Sequence, residues 1–292
     1  MTEMSANAGV QADNLPKPGF VAASIPGVKV LNFGPPGSGK THSVKSLLEA
    51  GLETFVLFTE DSMSILNDVP DEKGLHWAYT PPMAGDWLTM IDNAEKIKNL
   101  DPGSLQKLPG MSKHKYGQLI DFFRMCFNFK CMRCGREFGN ISTWGTNRAV
   151  VLDSMSPLNQ MCLDLAVGGK PVRTQPDWGV AIEQEEKILN NLCLGLRAHV
   201  VVNAHAERET DLVLGGIKVY PAALGQKLPT KVARYFTDVI YSKYDPSKRW
   251  TWSTVEANVD SKSRHLPLTA ELKPSYAPLI EKWQKQGGFF QP

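Results

Sequence analysis

The stretch Val28 to Leu48, VKVLNFGPPGSGKTHSVKSLL, leaves this chain few ways to fold. Its apolar run, Val28 to Phe33, predicts a short buried strand. The strand enters Gly34-Pro35-Pro36-Gly37-Ser38-Gly39-Lys40-Thr41, which fits the phosphate-loop pattern G-x-x-x-x-G-K-[ST] without deviation, with His42 directly behind it. A helical pattern follows, with Val44, Leu47 and Leu48 on one face. Glycines 34, 37 and 39 reach backbone angles other residues avoid, so successive N–H groups can turn inward around a phosphate. The next helix adds its positive end, Lys40 a point charge for the terminal phosphates, and Thr41 a hydroxyl for Mg²⁺. A glycine-rich turn that merely joins strand to helix is the alternative. Strand, loop and helix in register favour a nucleoside triphosphate, with residues 34–42 as its contacts.

Composition narrows the rest. A chain of 292 residues suits one large domain or one and a half. Apolar content of 42% and charged content of 21% are those of a globular protein, and a net charge of +2 makes any nucleic-acid surface local rather than global. No apolar run reaches membrane-spanning length, and the N-terminus lacks the charged-then-apolar layout of a signal peptide. Five cysteines without an export signal fit a reducing compartment, so the expected location is cytoplasmic. No membrane partner is expected.

Three further strands are expected to end in chemistry. Thr54 to Thr59 runs into Glu60-Asp61, Ala149 to Asp153 into Ser154, and His199 to Asn203 into Ala204-His205. Ligands of open α/β sheets gather at the carboxyl ends of strands. Glu60 is placed to polarise the attacking water, with Asp61 capping the next helix. Asp153 reads as the magnesium carboxylate, and His205 as a donor to the terminal phosphate or an ordinary loop histidine. Leu75 to Thr80, Val239 to Tyr244 and Trp250 to Val255 also read as strands. Helices are expected over Trp87 to Leu100, Tyr116 to Phe127, Pro157 to Ala166, Val180 to Leu196, Ala222 to Phe236 and Leu279 to Gln284. Asp101 to Gly110 and Val167 to Gly179 read as loops, and Glu207 to Tyr220 as a loop with a hairpin at Gly215-Gly216. Met1 to Ser24 reads as a mobile arm.

Cys131-Met-Arg-Cys134-Gly135 has the spacing of half a zinc ribbon. The second pair is missing, and Cys126 and His114 are the nearest further candidates. A plain hairpin knuckle with free thiols is the alternative. Met111 to Arg148 holds seven Lys/Arg against two Asp/Glu, with seven aromatics among them. That suits a nucleic-acid surface, or aromatics in the core with solvated charges. Glu49 to Glu72 carries seven acids and no Lys or Arg, and two such opposed patches suit head-to-tail packing of subunits.

Taken together, these residues resemble the RecA/RadA-like branch of P-loop ATPases, and more closely the phage-encoded ATPases associated with single-strand annealing and recombination. The resemblance covers about Val28 to Leu266. It implies an α/β, RecA-like P-loop NTPase core at 25–266, its mainly parallel central sheet flanked by helices. An inserted helix–hairpin segment at about 101–148 and a C-terminal tail at 267–292 complete the expected organisation. It also implies Glu60 as catalytic glutamate, Asp153 as magnesium ligand and His205 as sensor. Lys262-Ser263-Arg264 looks like the Lys-x-Arg motif that reaches a neighbouring subunit's nucleotide, although His265-Leu266 follows it where the family has Phe-Gly. DNA contacts would fall in 168–179 and 207–220. The implied partners are single-stranded DNA, further copies in a ring or filament, and other phage recombination proteins in a host cytoplasm. The implied activity is Mg²⁺-dependent ATP hydrolysis stimulated by DNA and assembly. Two rivals are an AAA+ remodeller or motor, and a DNA-binding assembly module that uses ATP only as a structural ligand.

Overall fold

The computed structural model describes residues 24–81, 87–107, 117–168, 170, 172–210, 215–245, 247 and 249–292. In chain order the elements begin with β1 (Lys29–Gly34), α1 (Lys40–Ser43), α2 (Lys45–Glu49), β2 (Glu53–Phe58) and β3 (Leu75–Tyr79). Next comes α3 (Trp87–Ile97), and the insertion supplies α4 (Pro102–Lys107) and α5 (Gly117–Phe127). There follow β4 (Arg148–Asp153), α6 (Met155–Val167), α7 (Gln175–Asn190), β5 (His199–Thr210) and β6 (Ile217–Pro221). The last are α8 (Pro229–Val232), β7 (Asp238–Asp245), β8 (Arg249–Ser253) and α9 (Ala277–Lys285). Of the expected mobile arm only Ser24 is described, and His114 also lies outside the described residues.

One sheet runs in the order β3-β2-β4-β5-β1-β7-β8, with β6 paired to the outer part of β5. The strands from β3 to β7 are parallel; β8 and β6 join antiparallel. Central strands read as nearly continuous apolar runs because both faces are covered. The two-residue period divides their side chains between two cores. Leu31, Phe33, Val150, Leu152, Val200 and Val202 face the side of α5, α6 and α7. Val28, Val30, Ala149, Val151 and Val201 face the side of α2 and α9, where Leu47, Leu279, Ile280 and Trp283 are buried. Residues beyond 266 therefore pack on the sheet: the backbones of Trp252 and Leu272 exchange two hydrogen bonds, and Trp283 donates to Pro26 O at 2.9 Å.

Three local expectations are corrected. The stretch 101–110 was expected to be a loop, yet α4 forms because Asp101 accepts from Gly103 and Ser104 N–H at 2.9 and 3.1 Å, with Pro102 opening the first turn. Helix α7 starts at Gln175, inside the loop expected to Gly179, since Asp177 accepts from both the N–H and the hydroxyl of Thr174 at 2.8 Å. The helix expected over 222–236 shrinks to α8 and a following tight turn. Its first N–H groups are taken elsewhere, Ala222 by His205 O and Leu224 by Glu185, and Gly225 sits at φ 69°.

The insertion's aromatics go largely into the core. Phe129, Phe138 and Trp144 gather around Phe55 at centroid distances of 5.2, 4.8 and 4.2 Å. Arg148 lies over Phe55 and Trp144 and binds Glu53 at 2.8 Å. The core reading of this basic, aromatic stretch thus describes these residues, while Phe123 and Phe127 stay exposed.

Candidate functional site

Strand register brings the candidate groups to one edge. Phe58 pairs with Asp153, Asp153 with Asn203, and His205 with Gly34. Glu60 therefore stands beyond β2, Asp153 at the end of β4, Asn203 and His205 on β5, and the phosphate loop beyond β1. One strand, β5, lies between the loop strand and the Asp153 strand. Glu60, Asp153 and His205 line a cleft of about 350 Å³ with Pro36, Gly37, Ser38, Gly39, Lys40, Thr41, His42, Ser62, Ile65 and Trp250.

The loop has the shape its spelling demands. Gly37 and Gly39 sit at φ 74° and 81°, where a side chain would strain the backbone. Lys40 is buried and donates to Gly34 O and Pro35 O at 2.9 Å each and to Ser38 Oγ at 3.3 Å. Gly34 and Pro35 hold Lys40 through their carbonyls rather than lining the cleft. Burial pushes the ammonium down to about 8, against the pull of Asp153 and Glu60. Helical backbone continues from α1 through Val44 into α2, and buried Val44 and Leu47 fix it to the core.

Thr41 Oγ1 donates to Asp153 Oδ2 at 2.7 Å. Burial raises the Asp153 carboxyl, and the neighbouring charge of Glu60 adds to that. A carboxylate this buried, next to a hydroxyl and a second acid, is a fit for a hard cation such as Mg²⁺. Glu60 Oε2 lies 3.4 Å from His205 Nε2. His205 is the leading cause that holds the Glu60 carboxyl below its usual range, against burial. An ionised Glu60 is ready to accept a proton. His205 Nδ1 is buried and has no hydrogen-bond partner. Thr59 and Ser154 tie the ends of β2 and β4 through bonds of 2.6 and 2.9 Å, which fixes Glu60 relative to Asp153.

Ser62, Ile65 and Trp250 are cleft residues that strand reading did not single out, and Trp250 touches the loop itself. Its indole N–H donates to Gly37 O at 2.9 Å, and its ring lies 5.0 Å from His42. A Cβ on Gly39 would meet that ring at 2.8 Å, so the glycine is required twice over. Lys262 and Arg264 stand apart from the cleft. Lys262 exchanges backbone bonds with Val239, and Arg264 borders a hollow with Val28, Thr237 and Trp283, at the opposite edge of the sheet. Cys131 and Cys134 lie in the insertion, where they meet His76 of β3. Among the described residues no helix is long and apolar enough to cross a membrane.

No curated protein matches the sequence. Solved structures that match include that titled "Crystal structure of the RadB recombinase", at 12% identity and a TM-score of 0.37, covering 86% of this chain and 90% of that one. The AAA domain family matches residues 26–265, a span holding the phosphate loop, Glu60, Asp153 and His205. The chain belongs to that family and carries an AAA-type P-loop ATPase domain.

Proposed function

We propose that this chain is a Mg²⁺-dependent, phage-type recombination ATPase that assembles on single-stranded DNA and promotes annealing or strand pairing. The observation that carries this reading is the 3.4 Å approach of Glu60 to His205 at the mouth of the phosphate-loop cleft. It joins the group that would activate water to strand β5, which continues into the β5–β6 hairpin. In the resemblance drawn from the sequence, that hairpin region meets DNA. A shift of the hairpin would move His205, and with it the orientation of Glu60.

Each residue then has a task. The loop amides and Lys40 hold the phosphates, and Thr41 and Asp153 hold the cation. Bound MgATP supplies the phosphoryl group and a counter-charge for its transfer. Glu60 orients water and accepts its proton, while His205 keeps the carboxylate in place. Lys262 and Arg264 cannot serve their own cleft from the far edge, a placement that suits action on the next copy in a ring or filament.

ATP hydrolysis measured with and without single-stranded DNA, across protein concentrations, tests the reading. DNA stimulation and a steep concentration dependence support it. A DNA-indifferent, concentration-independent rate overturns it and leaves a remodeller or motor of the AAA type. Arg264→Ala is expected to abolish the concentration dependence; unchanged hydrolysis and assembly would remove the trans role.

A further inference from the structure

The insertion carries a second cluster of chemistry-bearing side chains. Lys130 and Glu137 form an antiparallel bridge, Cys131 N–H donates to Arg136 O at 2.8 Å, and Gly135 N–H donates to Cys131 O at 2.9 Å. These bonds fold 130–137 into a tight knuckle. The knuckle lies along β3, the edge strand of the sheet, where Met132 N–H donates to Trp77 O at 2.8 Å. From that strand His76, 1% exposed, turns Nδ1 to Cys134 Sγ at 3.6 Å. The ligating atoms of His76, Cys131 and Cys134 all lie within 4.8 Å of one another.

We propose that His76, Cys131 and Cys134 bind a thiophilic divalent cation of the zinc class. His76 ligates through Nδ1, both cysteines ligate as thiolates, and solvent fills the fourth position on the side where Cys134 is exposed. Two features carry this beyond a plain knuckle. Zinc bonds of about 2.0–2.3 Å at tetrahedral angles separate a ring nitrogen and a thiolate by roughly 3.5 Å, close to the spacing found. His76 Nε2 faces Glu53 Oε1 at 3.4 Å, the carboxylate support that metal-ligating histidines commonly have, and Arg148 anchors that carboxylate at 2.8 Å. With the cation on Nδ1, the ring proton would sit on Nε2, on the side that faces this carboxylate. The cation would pin the insertion to the sheet and close an otherwise open strand edge.

The test uses the full-length chain purified under reducing conditions. Elemental analysis is expected to find one zinc per chain. Cobalt(II) added to the metal-stripped protein is expected to give the thiolate charge-transfer absorption of a two-cysteine tetrahedral site. Cys134→Ser, at an exposed position, is expected to weaken cobalt binding more than about 100-fold, and Glu53→Gln by about 10–100-fold. No zinc together with no thiolate band overturns the proposal, as does cobalt held equally well by Cys134→Ser. If that variant fails to fold, the wild-type cobalt spectrum decides by itself.

Discussion

The two edges of the parallel sheet treat their buried polar groups in opposite ways. At the edge where β1 and β7 begin, two buried charged groups are satisfied by the protein itself. Asp238 accepts from Ser263 Oγ, Arg264 N–H, His265 N–H, His265 Nδ1 and Thr237 Oγ1, at distances from 2.6 to 3.0 Å. Lys29 spends its ammonium on the carbonyls of Leu196 and Ala198. At the opposite edge, beyond β1, β2 and β4, Asp153, Glu60 and Lys40 crowd together around a cleft, and His205 Nδ1 has no partner. A buried polar group that neighbours satisfy holds the fold together, whereas one left short beside a cleft is free to meet a ligand. The turn 262–264 draws on both habits: its backbone is locked to Asp238 while the Arg264 side chain stays exposed.

Substitutions at each edge should therefore fail differently. Glu60→Gln is expected to lower ATP turnover by about 10²–10⁴-fold while leaving the melting temperature unchanged, since in the proposed mechanism the lost group acts on water rather than on the core. Steady-state hydrolysis beside a thermal melt checks this; a fall in stability matching the fall in rate would erase the distinction. Asp238→Ala is expected to do the reverse. Stranding His265 and three further donors should cost about 3–5 kcal/mol in urea denaturation, with ATP affinity of the folded fraction retained. Burial pushes the Asp238 carboxyl up, but the bonds from His265 and Ser263 prevail and hold it below its usual range. Its contribution is therefore present above the unfolded carboxylate pKa and lost as pH falls through the folded one.

The nucleotide edge was more legible in the sequence than its surroundings, for a physical reason. The phosphate loop works through backbone shape over eight consecutive residues, so its spelling is local. Glu60, Asp153 and His205 stood out because each follows an apolar run, and parallel register then brings those ends together. Trp250 gave no such signal. It reaches Gly37 only because β8 turns back beside β7, which itself pairs with β1, a fact of strand order rather than of spacing. His76 was hidden in the same way, a buried strand residue that meets Cys134 across 58 positions of sequence. The start of α7 was legible in principle, since Thr174-Gln-Pro-Asp177 spells a helix cap, but the glycines and prolines before it outweighed that signal.

Glu185 is the hardest case for the contrast between edges, because it is left short away from the phosphate-loop cleft. Its side chain on α7 is fully buried; Oε2 accepts from Leu224 N–H at 2.9 Å, and Oε1 has no partner. Burial pushes the carboxyl up to about 8 from 4.5. A raised acid costs nothing while protonated in both states. Stability is therefore full below about 4.5 and is lost as pH rises toward 8, on the order of 5 kcal/mol in all. Glu185→Gln is expected to flatten that part of the pH–stability curve and to leave ATP turnover unchanged. A wild-type curve already flat from pH 5 to 8 would mean that the carboxyl ionises at no cost.

Trp250→Ala carries the smallest expected effect and separates the two habits within the cleft itself. The indole does two things for the loop: its N–H satisfies Gly37 O, and its ring covers Gly39 beside His42. Neither touches Glu60, so chemistry at the terminal phosphate has no reason to change. Losing one hydrogen bond and the ring contact should loosen the empty loop and weaken nucleotide binding by about 1 kcal/mol, roughly fivefold in KM, at nearly constant kcat. Trp250→Phe keeps the ring and loses only the donor, so it should recover part of that affinity. A drop in kcat instead, with KM unchanged, would place the indole in the reacting geometry and make the loop's cover a part of the catalytic edge.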